Sequence, residues 1–274
     1  MLYSHEYQKS DLHGKLKYKR EADTLTKYLR CVRKIGNDWN SDVSPRPRLW
    51  YRGHGDAGWD LAPSVLRPKF SNFRAEECGA DFRLRANPYL SDAASAASDD
   101  LEWYFVMQHH GVPTRLLDWS ENPLVALYFA LRDFSDGRSP AVWVLNPVAL
   151  NDRVAQVGLS VLPTSDPRLL TYLGAAFSEL PSKSPPIAIQ PPHKTRRLTA
   201  QKGVFTLHGK DRRAIADYEE LLGHLTRIEI VADKSDSIRD ELAAAGVTET
   251  TVFPELAALC RELVEHWTDR RNAV

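Results

Sequence analysis

Short apolar strands and helical segments alternate along this chain without a regular strand–helix–strand period, and that irregularity limits the fold more than any other feature. Leu49-Trp50-Tyr51-Arg52-Gly53, Ala141-Val142-Trp143-Val144-Leu145 and Arg227-Ile228-Glu229-Ile230-Val231 read as strands, as do 114–117 and 199–207. Helical signals fall at 23–35, 70–85, 101–109, 124–131, 236–245 and 256–270. In the first, Leu25, Tyr28, Leu29 and Val32 recur at helical spacing, and Gly36-Asn37-Asp38 reads as a stop. Asn122-Pro123 starts the fourth, because proline is pre-organised for the first helical position. The stripe Leu256, Leu259, Leu263 and Trp267 on the last helix reads first as core packing, with a surface for a partner as the alternative. Residues 86–99 read as a loop, and 150–185 as irregular with some helix. With no internal repeat, this interleaving predicts an α+β fold rather than a doubly wound sheet.

Composition narrows the setting. The 274 residues suit one large domain with a smaller addition, divided here into an N-terminal helical segment, 1–44, and a main domain, 45–270. Lys and Arg number 36 and so do Asp and Glu, so no overall charge marks the chain for nucleic acid or an anionic membrane. Cys31, Cys78 and Cys260 are scattered without ligand spacing, which argues for a reducing compartment and against a disulfide framework or structural zinc. The N-terminus shows no secretory pattern, and no apolar run approaches the roughly 20 residues that cross a bilayer. A cytoplasmic protein with no membrane partner is the expectation.

Three separated segments carry the candidate chemistry. In the first, Arg52 ends an apolar strand, where its charge must reach solvent or meet an anion; the anion is either a ligand phosphate or one of the chain's own carboxylates, such as Asp118. Gly53 lets a ligand or another backbone approach. The second segment, Gln108-His109-His110-Gly111-Val112-Pro113-Thr114-Arg115-Leu116-Leu117-Asp118-Trp119-Ser120, sets two histidines, an arginine, an aspartate and two hydroxyls between apolar helices. A histidine here could be an acid or base, or could cap the preceding helix; Asp118 or Ser120 could cap the next one. Adjacent histidines on a helix end diverge by about 100°, which argues against a metal site. In the third, alternation sets Gln201, Gly203, Phe205 and Leu207 on one face, forming a recess for a planar amide or a glutamine buried against backbone. The basic stretch Lys194, Arg196, Arg197 and Lys202 reads first as a solvated face. No P-loop, dinucleotide glycine fingerprint or nucleophile elbow is present.

Tyr51-Arg52-Gly53, Leu61-Ala62-Pro63-Ser64, the run from Gln108 to Trp119, Ala126-Leu127-Tyr128-Phe129-Ala130, Gln201-Lys202-Gly203-Val204-Phe205-Thr206 and Val252-Phe253-Pro254-Glu255-Leu256 resemble the FRG-domain family. A weaker resemblance is to ADP-ribosyltransferases of the Arg–Ser–Glu type. Arg52 stands for their first-strand arginine, Asp118-Trp119-Ser120 for Ser-Thr-Ser, and Gln201-Lys202-Gly203 for the third motif. That resemblance implies a mixed, split β-sheet core with surrounding helices, and NAD as substrate. It implies NAD contacts from Tyr51, Arg52, Gly53, Thr114, Arg115, Trp119, Ser120 and Gly203, with Tyr51 or Trp119 stacking on nicotinamide. Asp118, His110 and Gln201 become the catalytic candidates, although Gly203 stands where those enzymes carry glutamate. The implied acceptor is a protein or nucleic acid, and the implied role is a bacterial toxin or anti-phage defence effector with an antitoxin or defence partner. A non-catalytic nucleotide-sensing or interaction module is the alternative reading.

Overall fold

The computed structural model describes residues 20–39, 48–90, 100–135, 137–173, 184–192, 194–209 and 211–269. Its frame is one open mixed sheet of eight strands: β1 (Arg20–Ala22), β2 (Trp50–His54), β3 (Leu116–Ser120), β4 (Ala141–Leu145), β5 (Leu162–Pro163), β6 (Ile187–Gln190), β7 (Gly203–Leu207) and β8 (Leu225–Ile230). The strand order is β1-β8-β4-β2-β3-β7-β6-β5. The six central strands are antiparallel to their neighbours, and β1 and β5 add parallel edges. The helices are α1 (Leu25–Trp39), α2 (Ala75–Arg85), α3 (Asp100–His109), α4 (Pro123–Arg132), α5 (Pro147–Ala149), α6 (Leu170–Leu173), α7 (Arg196–Ala200), α8 (Ser235–Ala244), α9 (Glu249–Val252) and α10 (Leu256–Asp269).

Three apolar clusters cover the sheet. Tyr51, Val142, Val144 and Ile228 meet α1, α4 and α8 through Tyr28, Ile35, Leu127 and Ile238. Leu116, Phe205, Leu207 and Ile187 meet α3 through Leu101, Tyr104 and Met107. Trp50, Trp119, Trp143 and Leu145 form the third with Leu61, Leu150, Ile215 and Leu221 from the loops. Trp50 and Trp143 are each 1% exposed, and burying a large apolar side chain contributes on the order of 1.5–3 kcal/mol.

The β2–β3 junction positions the site. These strands share a single residue pair, Tyr51 with Ser120, whereas β2 and β4 pair over five positions from Trp50 to His54. The sheet therefore parts between β2 and β3 beyond that pair. At the same place α4 lies against β2: a Cβ on Gly53 would collide with Ala126 O and come within 2.5 Å of Ala130 N. Gly53 is thus required for helix-to-strand packing, the backbone branch of the two uses the sequence allowed.

Several sequence expectations shift. The strand expected at 199–207 is helix α7 followed by β7, because the Thr195 hydroxyl accepts from Leu198 N at 3.1 Å and starts a helix. The strand expected at 114–117 runs from Leu116 to Ser120, since Thr114 spends its hydroxyl on Leu116 N at 3.1 Å. α1 continues through Gly36 to Trp39; a helical glycine costs about 1 kcal/mol, which core burial of Tyr28 and Ile35 outweighs. β1 and α1 belong to the main sheet and its core, so the described part of 1–44 is not a separate unit. The α10 stripe expected to pack inward is exposed: Leu256 at 76%, Leu263 at 47% and Trp267 at 60%. Ala258, with Val252 and Phe253, supplies that helix's buried contact instead. The loop expected at 86–99 falls largely outside the described residues. No helix among the described residues is long and apolar enough to cross a membrane.

Candidate functional site

Asp118 is the one exposed position of β3, between buried Leu116, Leu117, Trp119 and Ser120. It projects beside the parted junction, and its side chain is 55% exposed. Gln108 Nε2, from the last turn of α3, donates to Asp118 Oδ2 at 2.6 Å. Gln108 is itself fixed, because Thr114 Oγ1 donates to its Oε1 at 2.5 Å and accepts from Leu116 N at 3.1 Å. Thr114 N donates in turn to Ser64 Oγ at 3.3 Å. The chain makes this turn through Gly111, whose φ of 81° closes α3 with Gly111 N on Gln108 O and Val112 N on Met107 O.

Arg52 stands behind Asp118. Its Nη1 donates to the Asp118 carbonyl at 2.6 Å and lies 4.0 Å from Oδ2; its Nε donates to His54 Nε2 at 3.1 Å. Arg52 thus meets the chain's own Asp118, chiefly at its carbonyl rather than at its carboxylate. Burial lowers the Arg52 guanidinium to about 10, with Asp118 opposing the fall and Arg67 adding to it. The group therefore stays charged at neutral pH. Burial holds His54 well below the ordinary imidazole range, reinforced by Arg52 and Arg67, so His54 is a neutral acceptor.

Asp118 lies at the floor of a cleft of about 540 Å³. Phe105 of α3 and Phe205 of β7, ring centres 4.9 Å apart, line it beside Asp118. Gln108, His109 and His110 form one wall, and Lys194 to Leu198 the other, with Gln201 at the end of α7. Gln201 Nε2 donates to Val252 O at 3.2 Å, and among the described residues its Oε1 accepts no hydrogen bond. Burial lowers His109 below its usual range, and the Arg197 and His110 charges add to that. The rings of His109 and His110 meet edge to face at 4.9 Å. A charged floor, an aromatic lining and amide groups can hold a planar ring carrying hydroxyls.

The structure brings Asp118, His110 and Gln201 to this cleft, with Thr114 and Arg52 supporting Asp118 from behind. It does not bring the stacking candidates there. Tyr51 is 7% exposed within the α4 core, and Trp119 is 3% exposed with Nε1 donating to Thr206 Oγ1 at 3.2 Å. Aromatic residues at the centre of a sheet have core neighbours on both sides, so neither presents an open ring face. Arg115 is buried, stacked on Tyr104 at 5.5 Å and donating to His208 O at 2.9 Å. Ser120 sits in the turn from β3 to α4, accepting from Asn122 N at 2.9 Å and donating across to Gln201 O at 2.6 Å. The space beside Gly203 is filled by the Leu198 side chain. Gln108, Phe105, Arg196 and Arg197 were not among the sequence candidates for contact. Gln108 opens the polar run from Gln108 to Ser120, and Thr195 before the arginine pair is the cap signal that would have turned that pair toward the cleft.

Residues 47–138 match the FRG domain family, and this segment is an FRG domain. It holds β2, α2, α3, β3 and α4, and with them Arg52, Gly53, Gln108, Thr114 and Asp118. The α7–β7 wall lies beyond the match. No curated protein and no solved structure matches the chain.

Proposed function

We propose that the cleft binds NAD and that the protein is an ADP-ribosyltransferase-like enzyme, breaking the nicotinamide–ribose bond and passing the ADP-ribosyl group to an acceptor. The observation that carries this reading is the Asp118 carboxylate: open on the cleft floor, oriented by Gln108, and with no hydrogen bond to Oδ1 among the described residues. Cleavage of that bond sends its electron pair out with nicotinamide and leaves an oxocarbenium-like ribose. A fixed carboxylate stabilises such a cation without reorganising. Gln201 Oε1 would accept from a ribose hydroxyl, and His110 at the rim would take the acceptor's proton. The adjacency of the three motif-bearing strands β2, β3 and β7 at the centre of the sheet supports the same reading, as does α4 following β3 directly.

A second reading is nucleotide binding without turnover. It is favoured by Gly203, where Leu198 occupies the space a glutamate side chain would need. Calorimetric titration with NAD, combined with an assay for free nicotinamide, separates the two. Binding with release supports transfer, binding without release supports the module, and absence of binding removes both.

A further inference from the structure

The cleft lining carries both signs of charge. Asp118 supplies the carboxylate of its floor, and the segment from Lys194 to Leu198 supplies a cationic wall. The local fold fixes that wall: Thr195 caps α7 by accepting from Leu198 N at 3.1 Å, and Thr199 Oγ1 donates back to Thr195 O at 3.0 Å. Lys194 is neutralised in an ion pair with Glu102.

Arg196 and Arg197 are not neutralised. Neither has a carboxylate within 4.0 Å or donates a hydrogen bond among the described residues, although Glu255 lines the same cleft. Arg197 is half-buried, its guanidinium 4.8 Å from the centre of the Phe253 ring. A ring face attracts a cation but offers no acceptor for its N–H groups. A second guanidinium, Arg132, sits on the same ring at 4.5 Å, which adds positive charge and no acceptor. Partial burial of a charge that lacks an anion is costly, and the cost is relieved when an anion arrives. The effect reaches into the cleft, since Arg197 is the largest charge acting to lower His109.

We propose that Arg196 and Arg197 form an anion subsite of the cleft, taking the phosphate groups of a small phosphorylated ligand whose ring lies over Phe105 and Phe205 and whose hydroxyls face Asp118 and Gln201. This rests on the nucleotide reading above and assigns its phosphates to the α7 wall rather than to Arg52, whose Nε and Nη1 are held by His54 and the Asp118 carbonyl. Guanidinium forks match phosphate oxygens in geometry as well as charge.

The test is titration of the full chain with inorganic pyrophosphate, followed by calorimetry at low salt. The expected result is saturable binding that weakens at least about tenfold in Arg196→Gln/Arg197→Gln. It is unchanged in Arg30→Gln/Arg33→Gln, which removes the same charge from the exposed side of α1. Equal binding by wild type and the α7 variant overturns the proposal, as does equal weakening in both variants or no binding by wild type. Thermal unfolding of each variant checks that the fold is kept. If pyrophosphate behaves as expected while NAD does not bind, the NAD reading falls and the anion subsite stands. A single-stranded oligonucleotide binding more tightly than pyrophosphate, with the same loss in the α7 variant, would overturn the assignment to a small ligand.

Discussion

The Arg52 guanidinium donates to the Asp118 carbonyl at 2.6 Å where β2 and β3 part. It occupies a place in the sheet that a strand N–H would otherwise fill, so one side chain holds both the junction and the backbone of the proposed catalytic residue. Arg52→Ala leaves that carbonyl and His54 Nε2 without their donor. The expected loss is about 1.5–3 kcal/mol of unfolding free energy in urea. Arg52→Lys should recover little of it, because an ammonium on a flexible stem cannot reproduce the planar fork. A change below about 0.5 kcal/mol in the alanine variant would contradict the role.

Gly53→Ala tests the approach of α4 to β2. The added Cβ meets backbone, Ala126 O and Ala130 N, which cannot swing aside as a side chain could. The expected outcome is a loss of about 3 kcal/mol or more, or failure to fold, read from thermal unfolding and soluble yield. Gly36→Ala is the control: no atom lies within 4 Å of its added Cβ, and helix propensity predicts a gain of up to about 1 kcal/mol.

How much of this was legible depended on whether local chemistry or distant packing decided the element. Asn122-Pro123 announced α4, and the structure has Asn122 Oδ1 accepting from Leu124 N at 3.0 Å. The run Ala141–Leu145 was read with its observed bounds, because a short continuous apolar stretch in a central strand is buried on both faces. The strand read at 199–207 merged the end of a helix with β7, because the Thr195 cap four residues before Thr199 decides for helix there. The same split holds for the site. Asp118 and Gln201 reach the cleft, but Tyr51 and Trp119 were expected there as stacking platforms and are core residues. Which face of a central strand opens to a ligand depends on the gap between α3 and α7, and that gap is set by residues far apart in the chain.

Stability should fall with acid well above the carboxylate range. Burial lowers His208 to about 3, and Arg115 adds to this. The unfolded value is near 6.5, so between those two values the unfolded chain binds the proton and the folded chain does not. The folded-state advantage is therefore present above about pH 6.5 and is lost as pH falls toward 3, by up to about 1.4 kcal/mol per pH unit. His54, lowered in the same direction, acts in the same window. Unfolding free energies measured from pH 7 to 4.5 should slope downward, and His208→Gln should make the slope shallower whatever it does to absolute stability. An unchanged slope would contradict a neutral buried His208.

Gln108→Leu removes the donor to Asp118 Oδ2 and, with it, the acceptor of the buried Thr114 hydroxyl. The Asp118 carboxylate then loses its orientation. Nicotinamide release is expected to fall about tenfold through kcat, alongside a stability loss of about 1–3 kcal/mol from the Thr114 hydroxyl left without its acceptor. Thr114→Val should act in the same direction and also destabilise the chain by about 1–2 kcal/mol, because Leu116 N loses its acceptor. Release unaffected by Gln108→Leu would separate Asp118 from the chemistry.

The most direct test of the account is Asp118→Asn, assayed for NAD binding and for nicotinamide release on the same preparation. The carboxamide keeps the size and the contact with Gln108 while removing the negative charge. Wild type is expected to bind NAD and to release nicotinamide. The variant should still bind NAD, while its release falls by about 10²–10³-fold, the cost of removing one preorganised electrostatic group. Equal release by wild type and Asp118→Asn would contradict the claim that this carboxylate carries the reaction.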